Sequence, residues 1–455
     1  MFDRQGGTPL CDALQQHAVQ GRASFHTPGH KGRLDFGGAA LDLTELPDTG
    51  SLYDGGDAIE VSECLYAEAF GAGATFYSAG GCTLCIQTML SLGCGGTGGR
   101  ILMARNAHRS AVNAAVLLDL DPLWLWPEAG GQPTVENLDE KLKTHLDIQA
   151  VYITSPNYAG QTADVAGMAA LCHDRGVPLL VDNAHGSHLG AFGMHPLALG
   201  ADMTADSAHK TLPVLTGGAV LHLSKKWTAG KDSVALRREV KAAMALFGST
   251  SPAFPVLASL DRAQDWWRRE GPDAYRQTAV RVKALRGMAI RAGYGIQGDE
   301  RADPTRLTLH TVPLGLSGLR AAEAFRRLGC EPEYADKSML VFIVTPFNTE
   351  EELDRLGAAI QAVPGVCREK DEPEAFDPFA CGIPLKRMSP RMAALLPSEE
   401  IPSGQAAGRI AARTVCPCPP GIPAVVPGEE IGPELADLLS AWGIPMVTVV
   451  RETTE

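Results

Sequence analysis

The sequence predicts an α/β fold, with a large domain on a mainly parallel sheet and a smaller C-terminal α+β domain. Three observations carry this. Between residues 74 and 182, short apolar runs alternate with helix-period segments, the βαβ rhythm of a parallel sheet with right-handed crossovers. After residue 296 the alternation resumes on a smaller scale. The candidate polar groups fall where strands end, which is where such sheets bind ligands. The domain plan is an arm over 1–58, a large domain over 59–295 and a small domain over 296–455.

Residues 1–60 are rich in Gly, Pro and acids and show little periodicity. They contain Phe25-His26-Thr27-Pro28-Gly29-His30-Lys31-Gly32 and an acidic stretch with Asp42, Glu45, Asp48, Asp54 and Asp57. Taken alone, the first reads as a solvated turn and the second as an exposed loop. An amphipathic helix is predicted over 59–70 and a strand over 74–78. The turn Ala79-Gly80-Gly81-Cys82-Thr83 leads to a helix over 84–92. Strand, glycine turn and helix together aim backbone N–H groups at an anion. Strands follow over 100–104, 122–126, 150–154 and 178–182, with helices over 108–118, 135–143 and 165–174 between them. A strand end at 204–208 and a returning strand to 223 come next, then helices over 232–247, 255–269 and 274–292. The small domain reads as strands 306–311 and 339–345 with helices 318–328 and 350–362. Residues 363–403 read as irregular and 404–412 as a helix.

Composition narrows the function. A chain of 455 residues exceeds one typical core, so two domains are expected. Apolar content of 45% and charged content of 20% are those of a globular protein. A net charge of -13 argues against nucleic acid as a partner, since phosphate binding needs concentrated Lys and Arg. No apolar leader and no membrane-length apolar run is visible, and the 11 scattered cysteines fit free thiols in a reducing cytoplasm. Cys82/Cys85 and Cys416/Cys418 lack a second pair or a histidine at ligand spacing, so no metal site is predicted. The first strand is not followed by G-x-G-x-x-G, and no Walker A sequence occurs, which leaves a nicotinamide or ATP enzyme without support.

The chemistry centres on Asp182 to Lys210. A buried strand, 177–181, delivers Asp182-Asn183-Ala184-His185-Gly186, and Lys210 follows 28 residues later beside Ser207 and His209. An amine able to form a Schiff base and an acid able to keep a pyridine nitrogen protonated are what pyridoxal 5'-phosphate (PLP) requires. The Gly81–Thr83 turn would take the phosphate. His108 alone reads as a cap or surface histidine, but it too falls at a strand end.

Phe25–Gly32, the run Ser207-Ala208-His209-Lys210-Thr211-Leu212-Pro213, and the run from Pro417-Cys418-Pro419-Pro420-Gly421-Ile422-Pro423 to Glu429 occur in that order. With Asp182–His185 between the first two, the chain resembles the Orn/Lys/Arg decarboxylase family of fold-type-I PLP enzymes, in its short form without an N-terminal wing domain. The resemblance implies a PLP-dependent, transferase-like large domain. It also implies decarboxylation of arginine, lysine or ornithine to a polyamine-type amine and CO2. Lys210 would carry the cofactor, Asp182 pair with its ring nitrogen, and His108 stack on the ring. Ala184 and His185 would lie on the other side. Gly81, Cys82, Thr83, Ser207 and His209 would surround the phosphate, and Lys210 or His209 would return a proton. Glu429 would meet a substrate amine, aided by Asp48 or Asp54, with Cys418, His26 and His30 nearby. A dimer or larger homo-oligomer is implied, its active site at the interface, where residues 1–60 or the Thr216 turn would serve a neighbour. Cys82 stands where the family usually has Ser or Thr, Cys418 where it has an aromatic, and the acidic stretch matches loosely. Open alternatives are another fold-type-I PLP reaction (aminotransferase, aldolase or lyase) and a non-catalytic regulatory homologue.

Overall fold

The computed structural model describes residues 7–20, 22–33, 35, 37–55, 57–127, 131–297, 301–367, 381–416 and 421–452. The chain divides into two compact units, residues 1–95 with 165–276, and residues 96–164 with 277–455. In chain order the first elements are α1 (Pro9–Val19), α2 (Asp57–Phe70), β1 (Ala74–Ser78), α3 (Gly81–Gly93), β2 (Arg100–Ala104), α4 (Arg109–Leu118) and β3 (Asp121–Leu125). Then come α5 (Val135–Thr144), β4 (Ile148–Thr154), α6 (Val165–Asp174), β5 (Leu179–Asp182), β6 (Met203–Asp206), α7 (Ala208–Thr211) and β7 (Ala219–Leu223).

Seven strands form a mostly parallel sheet in the order β1-β7-β6-β5-β4-β2-β3. β2 runs parallel to β3 and β4, and β5 parallel to β6, while β7 runs against both β1 and β6. Every residue of β5, β6 and β7 is buried, as expected of strands covered on both faces. α3 begins at Gly81 rather than at residue 84. Gly81 has φ of +70°, a left-handed value that favours glycine, and this lets the chain turn directly from strand into helix.

Within the first unit, α1 buries Leu10, Cys11, Ala13 and Leu14 against Phe254, Leu257, Ala258 and Leu260 of the helix Phe254–Arg269. The arm was expected to lack regular structure, yet its helix has a sequence signal: Pro9 at the first position and apolar residues at 10, 13 and 14. The second unit contains an antiparallel four-stranded sheet of Gly295–Ile296, Arg306–His310, Tyr334–Ala335 and Met339–Ile343. Leu307, Leu309, Leu340 and Phe342 pack there with Phe325 and Ile360 of the helices Gly318–Arg327 and Glu350–Val366. A capping box, Thr349 with Glu352, starts the latter helix.

The C-terminal segment departs from expectation. Residues 404–412 are not a helix: a 3-10 turn, Ser403–Gln405, gives way to bridges from Ile410 to Glu430 and Ala411 to Val449. Gly408, at φ of +80°, is incompatible with helix there, and β pairing takes the backbone groups instead. The stretch expected to be irregular holds the helix Pro390–Leu395 and the strand Ser398–Pro402, which pairs with Met446–Val450. Val425, Ile431, Leu435, Val447 and Val449 form the apolar centre of this layer. No helix among the described residues is long and apolar enough to cross a membrane.

Asp261 anchors α1. Its carboxylate is fully buried, accepting 2.9 Å and 2.5 Å bonds from the Cys11 N–H and the Ser62 hydroxyl. Burial pushes this carboxyl up to about 6, against those two bonds. An acid raised in the folded state favours the fold below its unfolded pKa, and that advantage is lost as pH rises through about 6. Urea unfolding should therefore show stability falling as pH climbs through this window. Asp261→Asn, which keeps an acceptor for Cys11 and offers Ser62 a donor, should flatten that slope and gain about 1–3 kcal/mol at neutral pH. An unchanged slope in the variant would refute the assignment.

Candidate active site

The geometry starts at two neighbouring strand ends. β5 ends in Asp182, whose side chain is 1% exposed and accepts a 3.0 Å bond from the Ala184 N–H. β6 ends in Asp206 and turns through Ser207 into α7, which carries His209 and Lys210. The Lys210 Nζ lies 2.9 Å from His185 Nε2, and the Lys210 N–H donates to the Ser207 carbonyl at 3.0 Å. The first turn of α3 contributes Cys82, which lies close enough to feel these groups. Burial pushes its thiol well above the ordinary value, the Asp182 charge adds to that, and Ser207 and Lys210 pull it back. Asp182, Lys210, Ser207 and Cys82 are thus brought together in one unit.

Sheet alternation sends Asp182 and Asn183 to opposite faces. On the far face, Asn183 Nδ2 donates to Asp206 Oδ2 at 2.7 Å, and the Asn183 N–H bonds the Ala205 carbonyl at 2.9 Å. His195 Nδ1 accepts from the Leu197 N–H at 3.3 Å, so its Nε2–H donates to Asp206 Oδ2 at 2.9 Å. Burial raises the Asp206 carboxyl, but His195, His222 and Thr204 together hold it below its usual range. His195, Asp206 and His222 bring ligating atoms within 4.8 Å of one another. With His195 fixed as a donor, hydrogen bonding already accounts for the His195–Asp206 pair.

His209 differs from its expected role as a proton donor. Its Nδ1 lies 3.0 Å from the Gly218 carbonyl, which fixes the proton there and leaves Nε2 as an acceptor. Burial holds the ring below its ordinary value, the Gly218 carbonyl opposes this and Lys210 reinforces it. In that tautomer the neutral ring offers Nε2 as an acceptor.

His108 caps α4 in the second unit. Its ring is exposed, and Nδ1 accepts from the Ser110 N–H at 3.2 Å. The expectation for Glu429 is corrected. Only 1% exposed, it accepts from Arg105 Nη2 at 3.1 Å and the Val426 N–H at 2.9 Å through Oε2, and from Trp124 Nε1 at 2.9 Å through Oε1. Both oxygens are engaged inside the protein, so this acid is not presented to a substrate. Arg105 was missed because its partner lies 324 residues away. The only local hint was a charged residue closing an apolar strand.

The arm's candidates are held locally. His26 lies 3.2 Å from Ser24, His30 3.1 Å from Asp42, and Asp48 2.9 Å from His17. The bond from His17 is the main reason the Asp48 carboxyl sits below its ordinary value. Asp54 is exposed and meets Ser51 at 3.2 Å. His30 and Asp42 line a largely apolar cavity of about 720 Å³ with Leu41, Arg262, Pro213 and Leu215, the last two just beyond Lys210. Cys418 lies outside the described residues.

These residues fit a pyridoxal phosphate. A lysine amine and a buried acid stand at adjacent strand ends, and α3 opens on Gly80 and Gly81 with no side-chain cap on its first N–H groups. Ala184, at the turn after β5, and Thr83, exposed on the first turn of α3, flank this space.

The sequence matches the profiles of the Orn/Lys/Arg decarboxylase major domain over residues 8–290 and of its C-terminal domain over residues 385–442. An arginine decarboxylase of Bacillus subtilis is 32% identical over 461 residues, covering 94% of this chain and 92% of the relative. An arginine decarboxylase of Bacillus anthracis is 31% identical over 454 residues, covering 93% and 90%. Among solved structures, the lysine decarboxylase LdcF of Francisella novicida superposes with a TM-score of 0.80 at 18% identity, covering 98% of this chain and 82% of that one. Fold, strand-end chemistry and these matches agree: the chain belongs to the Orn/Lys/Arg decarboxylase family.

Proposed function

We propose that this protein is a PLP-dependent decarboxylase of L-arginine, releasing CO2 and agmatine. Family membership makes it an amino-acid decarboxylase. The observation that carries the cofactor reading is the grouping of Lys210, His185, Asp182 and Cys82 within one unit. Arginine is supported by the relatives matched over more than nine-tenths of the chain.

Bound PLP supplies the electron sink for the bond that breaks at the substrate α-carbon. The other roles belong to the chain. Lys210 would hold the cofactor aldehyde through Nζ. Asp182, buried at its strand end, would keep the pyridine nitrogen protonated. Gly81, Cys82, Thr83 and Ser207 hold the phosphate at the α3 N-terminus. By the family resemblance His108 would stack on the ring, and Ala184 and His185 would pack against the cofactor. His209 would lie beside the phosphate, and the Lys210 amine would be placed to return the proton to the α-carbon. The cavity lined by His30 and Asp42 lies toward the substrate end. The same reading makes the protein a cytoplasmic homodimer or higher homo-oligomer serving polyamine formation.

The purified holoenzyme, offered a panel of amino acids, should form amine and CO2 in equal amounts from arginine, with no keto acid. Amine from lysine or ornithine in preference would sink the arginine assignment, and keto-acid formation would sink decarboxylation. Lys210→Ala should lose the visible cofactor absorbance and, through loss of proton transfer alone, at least about 10²–10⁴-fold in rate.

Cys82 gives a separate expectation. Its raised pKa keeps it a neutral thiol, a weaker donor than a hydroxyl. Cys82→Ser should tighten PLP by roughly two- to tenfold, the worth of one improved hydrogen bond, measured by fluorescence titration of the apoprotein. Weaker binding in the variant would exclude Cys82 from the phosphate turn.

A further inference from the structure

The second unit contains a buried ion pair whose position makes sense only in relation to the loop it grips. Arg105, one residue past the end of β2, is 1% exposed. Its Nη1 donates to the Pro423 carbonyl at 2.8 Å, and its Nη2 to the Ala424 carbonyl and Glu429 Oε2, both at 3.1 Å. The guanidinium lies 4.8 Å from the ring centroid of Trp124 and 5.6 Å from that of Trp126. Trp124 in turn donates to Glu429 Oε1, and the Val426 N–H to Oε2. One arginine therefore holds three points of residues 423–429, and the carboxylate that balances its charge belongs to the same loop.

Three residues beyond Arg105, the same loop meets His108. The Arg109 N–H donates to the Gly421 carbonyl at 3.2 Å. Gly421 has φ of +71°, and a Cβ there would fall 3.0 Å from the Cδ2 and Nε2 edge of the His108 ring. The loop thus touches His108 at Gly421 and is pinned by Arg105 a few residues later.

We propose that the Arg105–Glu429 pair is a positioning clamp: it fixes the 421–429 loop against the His108 ring, and Glu429 acts through Arg105 rather than by touching substrate. The link to catalysis rests on the reading in which His108 stacks on PLP. The clamp itself rests on the ion pair alone. Breaking a buried pair leaves the remaining charge uncompensated, so the loop shifts and His108 loses the surface that fixes its ring. A displacement of about 1 Å in a positioned group is enough to cost about 10²-fold in rate.

The test uses the PLP-loaded enzyme and the variants Glu429→Gln, Arg105→Lys and Gly421→Ala. The last touches the His108 edge and none of the charges. Two readouts decide. One is the visible circular dichroism of bound PLP, which follows ring orientation. The other is the ratio of inhibition constants for agmatine and its uncharged ureido counterpart, N-carbamoylputrescine. A clamp predicts an altered PLP band in all three variants, with that ratio within about threefold of wild type. A contact between Glu429 and the substrate cation predicts a loss of about tenfold or more in preference for agmatine in Glu429→Gln. Such a loss, or a PLP band unchanged from wild type, overturns the proposal. Should Glu429→Gln not fold, Arg105→Lys and Gly421→Ala still deliver both readouts. Failure of the arginine assignment would show separately, as absence of agmatine formation by the wild-type holoenzyme, while the PLP band would still report on the clamp.

Discussion

The first unit depends on one short hydrogen bond, from Asn183 Nδ2 to Asp206 Oδ2 at 2.7 Å. It ties the residue after Asp182 to the residue before Ser207, so it sets the offset between the strand ends that carry the acid and the lysine turn. The backbone bond from Asn183 to Ala205 fixes the same register from the main chain. His195 completes the arrangement with a second hydrogen bond to Asp206 Oδ2, which offsets part of the desolvation cost of a buried carboxylate. These groups lie on the opposite face from Asp182. The rigid support is thus built on the other face of the sheet from Asp182.

The same solution recurs at other buried acids. Glu63 is fully buried and held by Lys241 at 2.6 Å and by Arg237. Burial lowers the Lys241 amine, against the pull of Glu63. Glu429 has Arg105, a tryptophan and a backbone N–H. In each case the carboxylate joins segments far apart in sequence, and its charge is compensated where it lies. Such pairs add little net stability over apolar packing, but removing one partner is costly. They act as registration points: Glu63 sets α2 against the helix Ser233–Ala245, and Glu429 sets the C-terminal loop against β2 and β3.

Much of this was legible in the sequence. The alternation of apolar runs and helical segments gave the strands of the sheet, because period and turn chemistry are local properties. Asp182 and Lys210 stood out because the acid ends a fully apolar strand and the lysine sits in a short specific motif. Elements that depend on tertiary contacts were harder to see. α1 is short and becomes a helix by packing on the helix Phe254–Arg269, hundreds of residues later. The strand Met446–Val450 needs Ser398–Pro402 as its partner. The segment 404–412 carries enough alanine to resemble a helix, but Gly408 and the bridges to Glu430 and Val449 take it elsewhere. The misassigned role of Glu429 has the same origin: a motif shows that an acid is required, but only the fold shows which cation it faces.

That reassignment changes how substrate recognition is to be understood. A cationic side chain entering an enclosed site needs a carboxylate that is not already neutralised. Glu429 is committed to Arg105, and Asp48 to His17 and Arg22. Asp42 pairs with His30 at 3.1 Å, but it remains partly exposed and lines the cavity that reaches Pro213 and Leu215. Glu429 could turn to an incoming cation only by stranding Arg105 in the interior. The acid that lines this cavity lies in the N-terminal arm, and the acid most prominent in the C-terminal motif is held by Arg105.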